Sequence, residues 1–304
     1  MNAYKIGGII VTYNPDVRRF EKVVYSLDNQ INKLVVVDNG SINIKEVLLA
    51  LKNDNHSFKI KFIGLKQNVG LAKGLNIGIK ELNGGCSWIL TLDQDTIVNK
   101  DAIKQAIDNY KKLNVRLQKK TALIHLNHER FGNRIIDKFI FSSLVLDKVQ
   151  LKHNKKYYKD FLPVKSVIQS GMLIKTKIAH KFKFMEKLFI DQIDIDYSYR
   201  VRKAGYIILE TKKKLIEHEL GNKKIVNSKV IHYENILRLH YVTRNLAYLL
   251  KKKRVSVFEY VFILILLYRR YFLVNGFSSI YSLIRLYLSA TIRGFIGKLG
   301  KIKD

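Results

Sequence analysis

Along the first hundred residues, short unbroken apolar runs alternate with stretches whose apolar positions recur every three or four residues. Residues 5–13 (Lys-Ile-Gly-Gly-Ile-Ile-Val-Thr-Tyr) form the first run, which closes on polar residues and Pro15. Val17, Phe20, Val23, Val24 and Leu27 then fall at helical spacing over about 16–29. A second run, Leu34-Val35-Val36-Val37, ends in the turn signal Asp38-Asn39-Gly40-Ser41. A helix over about 43–53 leads to a third strand at 60–64. Residues 70–82 are again helical in spacing, and 88–92 form a fourth strand running into Asp93. Apolar strands separated by helices predict a parallel α/β sheet covered on both faces.

Further along, strand-like patches occur at 121–125 and 167–168, the second followed by Gln169-Ser170-Gly171-Met172. From residue 236 the character changes. An amphipathic helix over 237–250 precedes Lys251-Lys252-Lys253-Arg254, an apolar stretch at 255–268, then Arg269-Arg270 and a basic, aromatic-rich amphipathic segment to Lys303. The chain is thus expected to divide into an α/β domain over 1–235 and a C-terminal basic amphipathic helical region over 236–304. The 255–268 stretch covers about 14 positions, short of the roughly 20 a membrane span requires, and it contains Glu259. Helices lying in a membrane interface or packed on the core are the two readings it leaves.

Composition changes this picture in two places. Cys86 is the single cysteine, which excludes an intrachain disulfide framework and fits a reducing compartment. With no secretory leader pattern at the N-terminus, the expected location is cytoplasmic. Charge matters more: 55 basic against 25 acidic residues give a formal net of +30. That balance implies an anionic partner, whether nucleic acid, an anionic membrane surface or a phosphorylated substrate. The abundance of Ile and Asn beside Lys accounts for part of the excess as compositional bias.

The strand ends locate a candidate site. Ligands of open α/β sheets bind outside the carboxyl ends of the strands, and here three such ends carry Tyr13-Asn14, Asp38-Asn39 and Asp93-Gln94-Asp95. Residues two apart on an extended chain project to one side, so Asp93 and Asp95 can reach one divalent cation. Oxygen ligands of this kind suit Mg2+ or Mn2+, and no Cys/His cluster has zinc spacing. A second acidic cluster, Asp191, Asp194 and Asp196, is conspicuous in a chain so poor in acids. It reads either as a helix N-terminus or as the source of a general base.

Taken together, Thr12-Tyr13-Asn14, Val37-Asp38-Asn39-Gly40-Ser41, the segment from Asn68 to Gly78 and Leu92-Asp93-Gln94-Asp95 resemble, in order and spacing, family 2 inverting glycosyltransferases of the GT-A fold. Phe189-Ile190-Asp191, Ile193-Asp194, His218-Glu219-Leu220-Gly221 and His240-Tyr241-Val242-Thr243-Arg244-Asn245 resemble the bacterial rhamnosyltransferase branch most. The resemblance covers about residues 5–250. It implies a Rossmann-like, mainly parallel sheet flanked by helices, with a C-terminal helical extension.

It also implies roles. Thr12, Tyr13, Asn14 and Asn39 would line the nucleoside pocket, and Asp38 would accept from the pyrimidine base. Asn68, Gly70, Lys73 and Asn76 would approach ribose and diphosphate, with Gln94 beside them. Asp95 would be the main metal ligand, with Asp93 as partner toward ribose and metal and His218 near the donor diphosphate. Asp194 aligns with the catalytic base, which would take the acceptor proton in a single displacement with inversion. Gly171, Asp191 and Asp196 fall on the acceptor side. Arg244 would contact a diphosphate or lie on a solvated face. Tyr197 departs from the Trp that relatives of this branch commonly carry, which puts the acceptor pocket in question.

The expected partners are a nucleotide-diphosphate sugar, a saccharide or polyprenyl-diphosphate-linked acceptor and an anionic membrane surface at the inner face of the bacterial cell membrane, with no nucleic acid. The donor is read as dTDP-rhamnose. A UDP-sugar such as galactose, GlcNAc or galactofuranose is the alternative, and a basic nucleic-acid-binding protein is the competing class.

Overall fold

The computed structural model describes residues 4–52, 56–128, 158, 160–218, 222–226 and 229–302. The apolar runs become strands. β1 (Ile6–Thr12) is buried along its whole length and pairs in parallel with β2 (Lys33–Asp38) on one side and β4 (Trp88–Asp93) on the other. β3 (Lys59–Gly64) pairs with β2 at the sheet edge, where the exposed Lys59 and Lys61 discourage pairing with another chain.

Three helices connect these strands: α1 (Val17–Tyr25), α2 (Ile44–Ala50) and α3 (Leu71–Glu81). Asp16 caps α1 by accepting from the Arg19 N–H. This helix stops short of the predicted residue 29, because a turn follows in which Asn29 takes a left-handed conformation. Gly74 and Gly78 let α3 lie directly on β1: a Cβ there would come within 2.8 Å of Val11 and 2.5 Å of Ile9.

Beyond β4 come β5 (Ile97–Val98), α4 (Ala102–Lys111), α5 (Val115–Lys120), β6 (Thr121–His128), β7 (Phe161–Pro163), β8 (Met172–Lys175), α6 (Thr176–Lys181), α7 (Ile193–Lys203) and β9 (Ile207–Glu217). The sheet runs β3-β2-β1-β4-β8-β6-β9-β5, with β7 paired to β9. It is parallel through β3-β2-β1-β4, and β6 is parallel to β9, but β8 is antiparallel to both its neighbours. Residues 167–168 are not a strand. They stay irregular because 166–169 line a cleft, and pairing begins only at Met172.

Two apolar clusters cover the sheet faces. One joins Phe20, Leu27, Trp88 and Tyr110; the other joins Ile9, Leu75, Ile79 and Tyr197. Tyr197, the residue expected to bear on the acceptor pocket, is a core residue stacked on Phe184 with ring centroids 4.5 Å apart.

After a hairpin, β10 (Asn222–Val226) and β11 (Lys229–Tyr233), three helices complete the described chain: α8 (Ile236–Lys251), α9 (Val257–Asn275) and α10 (Ile280–Ile296). Glu259, the acid inside the apolar stretch, closes a capping box with Ser256 at the start of α9. Among the described residues, no helix is long and apolar enough to cross a membrane.

Candidate active site

Pairing register sets the height of the strand ends. Thr12 is level with Asp38, and Val11 with Asp93, so the three polar termini finish on one edge. The chain winds from β1 to β2 and β3 and then returns to the other side of β1 as β4. This reversal opens a crevice between β1 and β4. Gln94 spans it, its Oε1 accepting from the Tyr13 N–H at 2.8 Å. The cleft above has a volume of about 810 Å³, within the range that holds a small-molecule ligand.

Tyr13, Asn39 and Asn68 line this cleft from the β1–β2–α3 side of the sheet. Asn39 ties its loop to the next, donating from Nδ2 to Asn68 Oδ1 (3.0 Å) and accepting the Val69 N–H (2.9 Å). Gly70 follows in a left-handed conformation (φ 93°), and a Cβ there would lie 2.6 Å from the Phe189 ring.

At the end of β4, Asp93 donates its N–H to Ser170 Oγ (3.0 Å), which itself donates to Thr96 (2.7 Å). Asp95 lies in the following turn rather than on the strand, where its carbonyl accepts from Arg19 Nε. The two carboxylates still meet, through His218 at the end of β9. Its Nε2 is 3.5 Å from Asp93 Oδ2 and its Nδ1 is 3.7 Å from Asp95 Oδ1.

One ligand atom from each of the three residues lies within 4.8 Å of the others. A divalent cation bound at about 2.0–2.2 Å needs ligand atoms roughly 3–4 Å apart, so a small side-chain adjustment completes a site of two carboxylates and one imidazole. Desolvation, with the neighbouring Asp95 charge adding to it, pushes Asp93 up to about 7, although a third of its side chain faces the cleft. A cation would offset that repulsion.

Asp194 lines the same cleft from the first turn of α7. Burial pushes its carboxyl up to about 6 against the opposing N–H of Ile195, with Asp191 and Asp93 adding to the rise. Asp191 also lines the cleft and pairs with Arg238 of α8 at 2.9 Å. The helix-terminus reading of this cluster holds only in part. Acids occupy the first turn, but Gln192, in a left-handed conformation, is the N-cap and no side chain caps the helix.

Residues 9–139 match the family described as Glycosyl transferase family 2. The chain carries a family 2 glycosyltransferase domain. It is 28% identical over 273 residues to the dTDP-rhamnosyl transferase RfbF of Shigella flexneri, covering 86% of each chain. A poly-beta-1,6-N-acetyl-D-glucosamine synthase of Staphylococcus epidermidis is 34% identical over 90 residues, 29% of this chain and 21% of that protein. In fold, the chain resembles S. aureus TarS over 97% of its own length and 82% of that chain, with a TM-score of 0.51 and 16% identity. GalNAc-T7, solved with UDP, GalNAc and Mn2+, matches 71% of this chain and 44% of its own, with a TM-score of 0.55 and 14% identity. The architecture is the GT-A fold with a helical C-terminal region.

In this glycosyltransferase several expected contacts fall elsewhere. Asp38 is fully buried, and its oxygens accept from Thr12 Oγ1, Ser41 Oγ and the N–H groups of Gly40 and Ser41. With four donors already on it, it fixes the loop rather than meeting a base, and the Thr12 hydroxyl is spent on the same bond. Asn14 bridges loops, donating its N–H to Ser41 and accepting from Ile42. Lys73 is exposed and outside the cleft lining. Asn76 bonds the backbone of Phe184 and the Glu186 carboxylate, away from the cleft. Gly171 is buried between Thr91 and Leu126, while its neighbour Gln169 lines the cleft.

Two corrections concern charged residues. Asp196 has no exposed surface and pairs with Arg200 (2.8 Å) and Arg254, so it anchors α7 and meets no acceptor. Arg244 is likewise fully buried. Its guanidinium donates to the carbonyls of Gly300 and Leu188 and to Asn245, which rules out both a diphosphate contact and a solvated position. Desolvation lowers it to about 10, so it stays charged at neutral pH.

Among the described residues, the arginines that do line the cleft are Arg238 and Arg270, accompanied by Glu234 and by Val242, Ile263 and Leu266 of α8 and α9. His128, which also lines it, stands edge-on to His218 with centroids 6.2 Å apart. Sequence patterns place none of these residues at the cleft. Only the i,i+4 spacing of Glu234 and Arg238, which form an ion pair at 3.2 Å, offers a local signal. Residues 219–221, which follow His218 in the expected donor loop, lie outside the described residues.

Proposed function

We propose that this glycosyltransferase moves rhamnose from dTDP-rhamnose, with inversion, onto a saccharide or polyprenyl-diphosphate-linked saccharide in bacterial surface-polysaccharide (O-antigen or capsule) synthesis. The observation that carries the reaction type is the meeting of Asp93, Asp95 and His218 with Asp194 in one cleft of about 810 Å³. Similarity to the Shigella rhamnosyl transferase over 86% of both chains supports the donor.

Tyr13, Asn39 and Asn68 would orient the nucleotide. Asp93, Asp95 and His218 would hold Mg2+ or Mn2+, an ion that when bound offsets charge on a departing diphosphate; a neighbour of the same fold was solved with Mn2+. Asp194, ionised above about pH 6, accepts the acceptor hydroxyl proton as that oxygen attacks the anomeric carbon. Arg238 and Arg270, beside the apolar Ile263 and Leu266, suit an acceptor with an anionic group and a lipid chain.

Such an acceptor resides at a membrane, and the outer faces of α9 and α10 fit an anionic lipid surface. Tyr281, Ile284, Leu288 and Ile292 form an exposed stripe at helical spacing on α10, while Leu283, Leu286 and Ala290 on its other face are buried. A groove of about 390 Å³ between the two helices is lined by Val261, Ile265, Ile284 and Leu288, and the exposed Arg269 and Arg285 supply positive charge. The enzyme would then work from the cytoplasmic face.

A donor screen tests the reading. Nucleoside diphosphate release is measured with dTDP-rhamnose, UDP-galactose, UDP-GlcNAc and UDP-galactofuranose, with Mn2+, with Mg2+ and with chelator. Cation-dependent release from dTDP-rhamnose alone is the expected result; release only from a UDP-sugar replaces the donor, and full activity in chelator removes the metal. Flotation should show binding to anionic phospholipid vesicles that weakens with salt, and equal recovery without vesicles removes the membrane role.

A further inference from the structure

The turn that leads into Asp194 is unusually contorted. Phe189, Asp191 and Gln192 all have positive φ (69°, 58° and 61°), three non-glycine residues within four positions. Side chains of this kind disfavour such conformations, which persist only where the surroundings impose them. What imposes them here comes from α8. Asn245, fully buried, donates from Nδ2 to the carbonyls of Leu188 (3.0 Å), Ile190 (2.7 Å) and Asp191 (3.0 Å).

The orientation of that amide is fixed in turn. Its Oδ1 accepts from Arg244 Nε (3.1 Å) and Nη2 (2.9 Å), so its nitrogen must face the turn. Arg244 adds a bond of its own to the Leu188 carbonyl and reaches Gly300, whose N–H donates to Lys187 (2.7 Å). Tyr241, one turn earlier on α8, stacks on Phe189 with centroids 5.3 Å apart and lies under the Arg244 guanidinium at 4.9 Å. The carbonyls from Lys187 to Asp191 are therefore held by the C-terminal segment or, for Phe189, by the Ala72 N–H of α3.

We infer that Arg244 and Asn245 are a positioning pair: they fix the 187–192 turn and through it aim Asp194, while touching no reacting atom themselves. The C-terminal helices are then part of the catalytic apparatus. This inference rests on Asp194 being the base.

Asn245→Asp is the decisive variant. It keeps the shape and accepts from Arg244, but donates nothing to the turn. With dTDP-rhamnose and Mn2+, kcat should fall about 10–100-fold, the loss that a small misplacement of a reacting group produces. The Kd of the same donor by calorimetry should change by less than about twofold, and amide exchange at 187–195 should accelerate while β1 and β2 stay protected. Arg244→Lys should show the same split, more weakly.

Gln30→Leu is the control, since Gln30 is also a buried amide joining distant backbone groups (Ser26, Asn99 and Ile103). It should lower the Tm and leave kcat intact. Unchanged kcat and exchange in Asn245→Asp overturns the inference, as does loss of activity that merely follows Tm in all three variants. Should neither α8 variant fold, fast amide exchange at 187–195 in the unaltered protein overturns it, and protection comparable to β1 supports it. Turnover retained by Asp194→Asn defeats the base assignment itself, whereas a dead Asp194→Asn beside a fully active Asn245→Asp defeats only the positioning role.

Discussion

Tyr13, Asn39 and Asp93 extend from neighbouring strands whose register sets their height, whereas Asp191 and Asp194 leave a turn whose carbonyls bond groups distant in sequence. The strand-end set is built from regular pairing: a buried parallel ladder, a saturated Asp38 and a helix seated on β1. The turn set is built from contacts across 50 or more residues of sequence, from Asn245 to Leu188, Ile190 and Asp191. The groups proposed to bind the donor thus sit on a paired sheet, whereas the proposed base follows an irregular turn.

Removing the base tests this division most severely. Asp194→Asn should lower kcat by about 10²–10⁴-fold and leave donor affinity nearly unchanged; parallel loss of donor binding would show that the two sets are not separable. Asp95→Ala should weaken the binding of Mn2+ in the presence of donor by more than the ~10–100-fold typical of groups behind the ligands, read by calorimetry. Equal affinity would move the cation elsewhere.

The pH profile sharpens the comparison. The folded pKa of Asp194 is raised by burial, so the group holds its proton below about pH 6 and, as the proposed base, would be competent only above it. The kcat should rise through an acid limb near 6; a limb at the ordinary carboxylate value would mean an exposed base. The sign for stability is opposite. An acid whose pKa is raised on folding favours the native state at low pH, and that contribution is lost as pH climbs to the folded value. The smallest effect is expected of Gly70→Ala, which puts a Cβ against Phe189 at a left-handed position and should cost about 1–3 kcal/mol in chemical denaturation, with turnover falling more than donor affinity.

The same division explains what is legible in the sequence. The runs at 5–13, 34–37 and 88–92 become β1, β2 and β4 because a strand buried on both faces must be apolar throughout, whereas 60–64 becomes the half-exposed edge strand β3. The polar residues that end three of these runs therefore mark the cleft from the sequence alone. The Asn68–Gly78 segment is legible as a glycine-rich helix start, but Gly74 and Gly78 seat α3 on β1, and Lys73 and Asn76 lie outside the cleft. The roles of Arg244 and Asp196 are misread because charge usually means exposure, whereas both are fully buried, with Leu188 and Gly300 for Arg244 and Arg254 for Asp196 among their partners far away in sequence. Arg238 and Arg270 go unnoticed since no local pattern brings α8 and α9 to the strand ends. The antiparallel β8 is hidden for a related reason, lying between strands that are separated from it by long connections.

α9 presents Ile263, Leu266 and Arg270 to the cleft and Val261 and Ile265 to the outside. An α-helix with its side chains is about 10–12 Å across, so whatever rests against the outer face is one helix away from the reacting groups. A surface docked on that face, as proposed, would press on the same helix that walls the cavity.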